Sequence, residues 1–209
     1  MYIKNRMTVN PICISKKTSI SDALYLMNKN NFHRLPIVEN GKLVGLITEG
    51  TITAHSPTQA TSLSIHELNY LLSKTTVEEI MITDVKVIDP EALLEAAAVE
   101  MRSNSIGCLP VVENETVVGI ITQNDIFDSF IDLLGYYTEG YRYHITVSED
   151  HPGILSSIAA IFFDEGANIT NLAVYHRDED VDVVIRANNV RPQQIQEKLK
   201  EKGFNSDYS

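Results

Sequence analysis

Tryptophan is absent from the 209-residue chain, cysteine occurs twice, and 17 lysines and arginines face 28 aspartates and glutamates. Each shortage excludes something. A formal net charge of −11 repels nucleic-acid phosphates and anionic lipid headgroups, so neither nucleic acid nor a membrane is an expected partner. Cys13 and Cys108 stand far apart between apolar neighbours, and no Cys or His spacing suggests a metal site. Both are expected as reduced core residues. No apolar run approaches the roughly 18 residues of a membrane span, and the opening residues Met1 to Arg6 carry no signal segment, which points to the cytoplasm. The chain also lacks a P-loop and a dinucleotide fingerprint. His33, His144 and His151 have no nucleophile or carboxylate at a spacing the sequence vouches for, and His55, His66 and His176 read as solvated, so no catalytic residue and no enzyme is expected.

What is present is a repeat. At a fixed offset of 74 residues, Met7 falls on Met81, Ile14 on Ile88, Ala23 on Ala97, Met27 on Met101, Leu35-Pro36 on Leu109-Pro110, and Gly45 to Thr48 on Gly119 to Thr122, without a gap. Each copy predicts a short strand (Ile12 to Ser15; Val85 to Asp89), a helix (Ser19 to Asn30; Ala92 to Asn104), two strands joined by a polar turn, and a second helix. Ile20, Ala23, Leu24 and Met27 follow helical spacing behind a Ser19 cap. Asn40-Gly41 favours a tight hairpin, a turn that Asn114-Glu115 must make without glycine. Between the copies, His55 to Ser62 reads as a loop, Ser64 to Ser73 as a helix, and Thr76 with Glu79 as a capping box. Two such halves would bury their apolar strand faces by packing sheet to sheet about a pseudo-twofold axis.

This doubled pattern resembles the CBS (cystathionine β-synthase) domain pair, or Bateman module, over about residues 7 to 134. The resemblance implies a regulatory module that binds an adenosyl ligand such as AMP, ATP, S-adenosylmethionine or a cyclic dinucleotide between its halves, with no other cofactor. Thr122, at a strand end and helix start, suits a phosphate or ribose oxygen, and Asp125 can accept hydrogen bonds from both ribose hydroxyls. Thr-x-x-Asp is equally a plain capping box, and both readings stand. The first copy has Thr51 where the second has Asp125, and the second has Gly107-Cys108 where the first has His33-Arg34. The family pattern implies that His33 and Arg34 face the central cleft and reach phosphate. One good site is therefore expected: ribose on Thr122 and Asp125, phosphate towards His33 and Arg34, and adenine against Thr83 to Val85 and the Gly107-Cys108 backbone.

After a glycine-bracketed stretch, Gly135 to Gly140, the pattern changes. Tyr143, Ile145 and Val147 alternate as a strand, a helix is expected from Ile154 to Glu165, strands at Ile169 to Tyr175 and Val181 to Ala187, a helix at Pro192 to Lys202, and a short end at Phe204. This β-α-β-β-α-(β) order is ferredoxin-like and resembles an ACT domain. The resemblance implies amino-acid binding, usually across a dimer, with Asp150, Gly153, Asn168 and Ile169 as candidate effector contacts; a Pro-Gly helix start and a Gly-Asn helix exit explain them equally well.

The expected fold class is thus α/β (α+β), two CBS domains forming a Bateman module followed by a ferredoxin-like βαββαβ ACT domain. The boundaries are CBS domains at 1–74 and 75–135, a linker at 136–140 and the ACT domain at 141–209. A CBS pair followed by an ACT domain is similar to the bacterial acetoin utilization protein family. That likeness implies a regulatory role tied to carbon metabolism, while the CBS and ACT resemblances together imply a homodimer that senses an adenine nucleotide, with an ACT domain for dimerisation or amino-acid sensing and a protein target. A dimerising scaffold with decayed sites is the alternative.

Overall fold

The Ser19 hydroxyl accepts the Asp22 N–H at 3.1 Å and starts helix α1 (Ile20–Asn30), which buries Ile20, Ala23 and Met27 and ends on a left-handed Asn31. The computed structural model describes residues 1–55, 64–148, 151–177 and 180–209. Strands β2 (Arg34–Glu39) and β3 (Lys42–Thr48) form the first hairpin, and helix α2 (Glu49–His55) follows. Helix α3 (Ile65–Lys74) carries the Ser64–Glu67 capping box, and the box expected at Thr76 and Glu79 forms on a single 3-10 turn. The second copy repeats the layout with α4 (Leu94–Asn104), β4 (Cys108–Glu113), β5 (Thr116–Thr122) and α5 (Gln123–Leu133). Its hairpin turn puts Glu115 at φ 66°, where the first has Gly41 at 81°, so a side chain sits in a conformation that costs glycine nothing. The loop expected at His55 to Ser62 lies, beyond His55, outside the described residues.

The two leading strands do not form. Ile14 and Ile88 make only isolated parallel bridges, to Ile37 and Val111. Proline is the reason. Ile14 donates to the Pro36 carbonyl and accepts from Val38, and Ile88 does the same with Pro110 and Val112; the next ladder bond needs an N–H that Pro36 and Pro110 lack.

The segment ahead of each copy instead packs into the other copy. Ile3 is fully buried against Leu94, Ala97 and Leu109 of the second copy, while Val77, its repeat mate, is fully buried against Ile20, Ala23 and Leu35 of the first. The backbone agrees. Ile3 donates to Ala92 and Val77 to Thr18, each at 2.9–3.0 Å, and strand β1 (Thr8–Val9) pairs with β5 just as Ile82 bridges Leu46 of β3. The exchange explains a glycine in each copy: Met81 lies over Gly45 and Met7 over Gly119, where any Cβ would collide with the sulfur. At the centre, Leu46 and Ile120 are repeat mates in one buried cluster with Cys108. The hairpins also share a bridge, Lys42 to Thr116, so the halves join edge to edge in a five-stranded sheet as well as packing face to face.

The chain divides into two units, Met1–Ile126 and Phe127–Ser209. In the second, β6 (Tyr141–Val147), α6 (Ile154–Asp164), β7 (Asn168–His176), β8 (Val181–Asn188), α7 (Pro192–Glu201) and β9 (Asn205–Tyr208) form an antiparallel sheet in the order β7-β8-β6-β9. This is the expected ferredoxin-like arrangement, with a full final strand in place of a short end. Tyr143, Ile145, Ile158, Phe162, Ile195 and Leu199 make its core, and burial pushes the Tyr143 phenol up to about 12. The stretch expected as a linker is fastened to this sheet. The Asn171 amide donates to the Leu133 carbonyl at the end of α5 (2.9 Å), and the Arg186 guanidinium donates to the Thr138 carbonyl (2.7 Å).

The exchanged packing predicts that Ile3→Ala destabilises the second copy's core, lowering urea-unfolding stability by about 2–5 kcal/mol, the cost of truncating a buried isoleucine. A loss below about 1 kcal/mol would contradict the buried placement.

Candidate functional site

Two clefts flank the pseudo-twofold axis, and the repeat maps one onto the other. The first, about 280 Å³, is lined by Thr8, Pro11, Ile12, Arg34, Gly107 and Thr122, among others. The second, about 410 Å³, is lined by their counterparts, including Ile82, Val85, Lys86, Cys108, His33 and Thr48. His33, Arg34 and Gly107 border both. We call them the Thr122 cleft and the Thr48 cleft.

At the Thr122 cleft, β5 ends and α5 begins. The Thr122 N–H and hydroxyl both donate to Asp125 Oδ2 at 2.7 Å, and the Asp125 N–H lies 3.4 Å from Thr122 Oγ1. The capping-box reading is thus realised, and the cap fixes a half-buried carboxylate at the mouth of a helix. In the Thr48 cleft the mate of Asp125 is neutral, and the Thr48 and Thr51 hydroxyls meet at 2.9 Å.

The residues expected in one site fall in more than one place. Thr122, His33, Arg34 and Gly107 line the Thr122 cleft, with Asp125 behind Thr122. Val85 and Cys108 line the Thr48 cleft, and Thr83 borders a separate groove with Lys42, Val44 and Glu115. The segment exchange is the physical reason: the stretch that precedes the second copy belongs against the first. The walls facing Thr122 are therefore Thr8, Pro11 and Ile12, which the sequence reading missed, although the 74-residue offset carries Thr83–Val85 onto Val9–Pro11.

Two carboxylates also escaped notice because they are distant in sequence. His33 Nδ1 lies 2.9 Å from Glu49 Oε2, and His144 Nε2 lies 3.3 Å from Asp182, a buried carboxylate that also accepts from Thr146 and pairs with Arg177. Arg34 extends towards the second copy, where a Cβ on Gly107 would stand 3.1 Å from its Nη1. Burial pushes the Cys108 thiol up, and its hydrogen bond to Arg34 pulls part of the way back. Cys13, expected in the core, is exposed: Ile14 takes the inward position, and its neighbour points out. In the second unit, Gly153 caps α6 at φ 94°, Asn168 is exposed at the start of β7, and Ile169 packs half-buried on the core. Asp150 lies outside the described residues. No helix among the described residues is long and apolar enough to cross a membrane.

The CBS domain family model matches residues 3–57 and 77–132, more than half of the chain, and the ACT domain model matches 145–204. The chain belongs to the CBS domain family. Its CBS pair precedes an ACT domain. A solved Vibrio cholerae structure assigned to acetoin utilization (AcuB) is 32% identical, with 66% of this chain covering 98% of that one at a TM-score of 0.54. The CBS domain pair of protein MJ0100, solved with 5′-methylthioadenosine and S-adenosyl-L-methionine, is 31% identical, with coverages of 62% and 95% and a TM-score of 0.52. CBSX2, solved with AMP, is 25% identical, with coverages of 63% and 96% and a TM-score of 0.52. Solved CBS pairs like this one therefore hold adenosyl ligands. The likeness to the L-aspartate semialdehyde sulfurtransferase of Methanocaldococcus jannaschii, 34% over 126 residues, spans only 22% of that enzyme.

The two thiols should separate in a disulfide-exchange assay at pH 8. Both thiols are pushed up by desolvation, so accessibility decides: exposed Cys13 is expected to react first and buried Cys108 much more slowly. Retention of the fast phase in Cys13→Ser would contradict this assignment.

Proposed function

We propose that the CBS pair is a regulatory sensor of an adenine nucleotide, AMP, ATP or a related adenosyl ligand, bound in the Thr122 cleft. The observation that carries the reading is the Asp125 carboxylate, held by Thr122 at the start of α5 and absent from the first copy. Ribose hydroxyls can donate to this carboxylate, and Arg34, with its planar fork of donors, borders the same cleft and suits a phosphate. His33, already beside Glu49, is a secondary phosphate contact. Apolar Pro11 and Ile12 offer a wall for the base; Val85 and Cys108 serve the Thr48 cleft in that role, and Thr83 has none. The solved relatives with AMP and with S-adenosyl-L-methionine support the ligand class.

No reaction is assigned to the chain. Helix α5 begins at the Asp125 cap and ends at carbonyls that Asn171 of the ACT domain holds, which gives a bound ligand a covalent path to that domain. A ligand can act along it only through different affinities for two arrangements. We assign the ACT domain to dimerisation or amino-acid sensing, with Gly153, Asn168 and Asp150 as effector contacts. Ile169 has its side chain on the core, which leaves its backbone for that role. We place the chain in the cytoplasm as a homodimer that addresses a protein target; the exposed Phe127, Phe130 and Leu133 side chains on α5 support an apolar contact with another chain.

A ligand-free dimerising scaffold is the second reading, favoured by the hydrogen bonds that Thr122 and Asp125 make to each other. Calorimetric titration of the wild type and Asp125→Ala with AMP, ATP and cyclic di-AMP separates the two. Loss of the charge-assisted ribose contacts should weaken binding by about 10-fold or more. Undiminished affinity for every binder would refute the Asp125 assignment, and silence of the wild type would support the scaffold.

A further inference from the structure

Gly107 has no backbone reason to be a glycine: its φ is not positive, unlike that of six of the ten glycines in the chain. What requires it is space. A Cβ on Gly107 would lie 3.1 Å from Arg34 Nη1 and 3.7 Å from Arg34 Nη2, with Gln123 Oε1 at 3.5 Å. The guanidinium of the first copy thus rests where the second copy lacks a side chain.

The repeat shows what this seat replaces. Gly107 is the mate of His33, and Gln123 is the mate of Glu49. The backbone bond between them is the same in both copies: Glu49 donates to the His33 carbonyl at 3.1 Å, and Gln123 to the Gly107 carbonyl at 3.2 Å. In the first copy the imidazole fills the space, with its Nδ1 2.9 Å from Glu49 Oε2. In the second the glycine leaves that space open, and Arg34 crosses over to occupy it. Cys108, the mate of Arg34, is a small buried residue whose thiol hydrogen-bonds to the same guanidinium. An arginine at 108 would bring two cations together where the mates meet, which their repulsion disfavours.

Gln123 lines the Thr122 cleft and not the Thr48 cleft, so the seat beside it presents the guanidinium to the Thr122 cleft. With Asp125 behind Thr122, that cleft has a group of each sign. Selection then depends on where each charge is held, not on a net field. A free arginine loses rotamer freedom each time it closes on a phosphate, whereas one already seated loses little. We propose that Gly107 is the positioning residue for the phosphate donor: its missing side chain is the seat that fixes Arg34 at the Thr122 cleft, and so makes that cleft prefer a phosphorylated adenosyl ligand to the bare nucleoside. This rests on the proposed adenosyl-sensing function and adds to it the residue that sets phosphate selectivity.

Calorimetric titration of AMP against the wild type, Arg34→Ala, Gly107→His and the double variant tests the seat as a double-mutant cycle. Arg34→Ala removes charge-assisted bonds to phosphate and should weaken AMP by about 10-fold or more. Gly107→His supplies the side chain that the mate carries, and it should weaken AMP to a similar degree. Once Arg34 is alanine, it should add no more than about twofold. Adenosine, with no phosphate to lose, should bind all four proteins alike. Gly107→Ala, whose Cβ crowds the guanidinium without filling its seat, should weaken AMP less, and it gives the same test should histidine impair folding. Undiminished AMP affinity in Arg34→Ala, or in both Gly107 variants, would overturn the proposal. So would a further loss on adding Gly107→His to Arg34→Ala, or adenosine affinity falling along with that for AMP, since either would make the glycine a matter of cleft shape. A wild type that binds no AMP would instead remove the adenosyl-sensing reading itself, and this assignment with it.

Discussion

Ile3 and Val77, each fully buried in the half it does not precede, hold the CBS pair together. Neither copy has a complete core alone. Each lacks the apolar side chain, the backbone partners and the edge pairing that the other's leading segment supplies. Burying an isoleucine or valine contributes about 1.5–3 kcal/mol, and the two exchanged contacts are reciprocal, so the halves are stabilised as a pair. The same exchange builds the clefts. Thr8 and Pro11 arrive at the Thr122 cleft, and Ile82 and Val85 at the Thr48 cleft, because their segments have crossed over.

Function follows from where the copies have diverged on this shared frame. The core positions agree in kind across the repeat: Ala23 with Ala97, Met27 with Met101, Leu35 with Leu109 and Ile47 with Ile121 are identical, and Ile3 with Val77 and Ile20 with Leu94 exchange one aliphatic for another, all buried. The cleft positions do not. Asp125 faces Thr51, Arg34 faces Cys108, and Gln123 faces Glu49. Packing demands aliphatic side chains of similar volume in both halves, because the two cores have similar shapes. A ligand site carries no such demand, and each difference changes a charge or a donor.

Much of this was legible in the sequence. The helices, the hairpins, the cap at Ser19, the capping box at Thr76, and the ferredoxin-like order depend on local spacing and on turn chemistry, which a chain displays directly. The resemblance to a CBS pair with an ACT domain rests on that same spacing. What was not legible depends on which segment packs where. Ile12–Ser15 and Val85–Asp89 have strand-like composition, but Pro36 and Pro110 in their partners stop the ladder, and that pairing is a tertiary fact. Thr83 and Val85 precede the second copy in sequence but lie against the first in space, a crossing that local spacing does not display. Cys13 looked like a core residue from its flanks, yet alternation turned it outward. The Glu49 and Asp182 partners of His33 and His144 lie on other strands and helices, at separations no motif encodes.

The central claim is that Asp125 and the crossed-over Thr8–Ile12 segment form one adenosyl site. A crystal structure of the full chain grown with AMP tests it most directly. The account predicts one AMP in the Thr122 cleft, with ribose hydroxyls on the Asp125 carboxylate, phosphate at Arg34 and the base against Pro11 and Ile12. Nucleotide seated solely in the Thr48 cleft, or with its ribose turned away from Asp125, would contradict it.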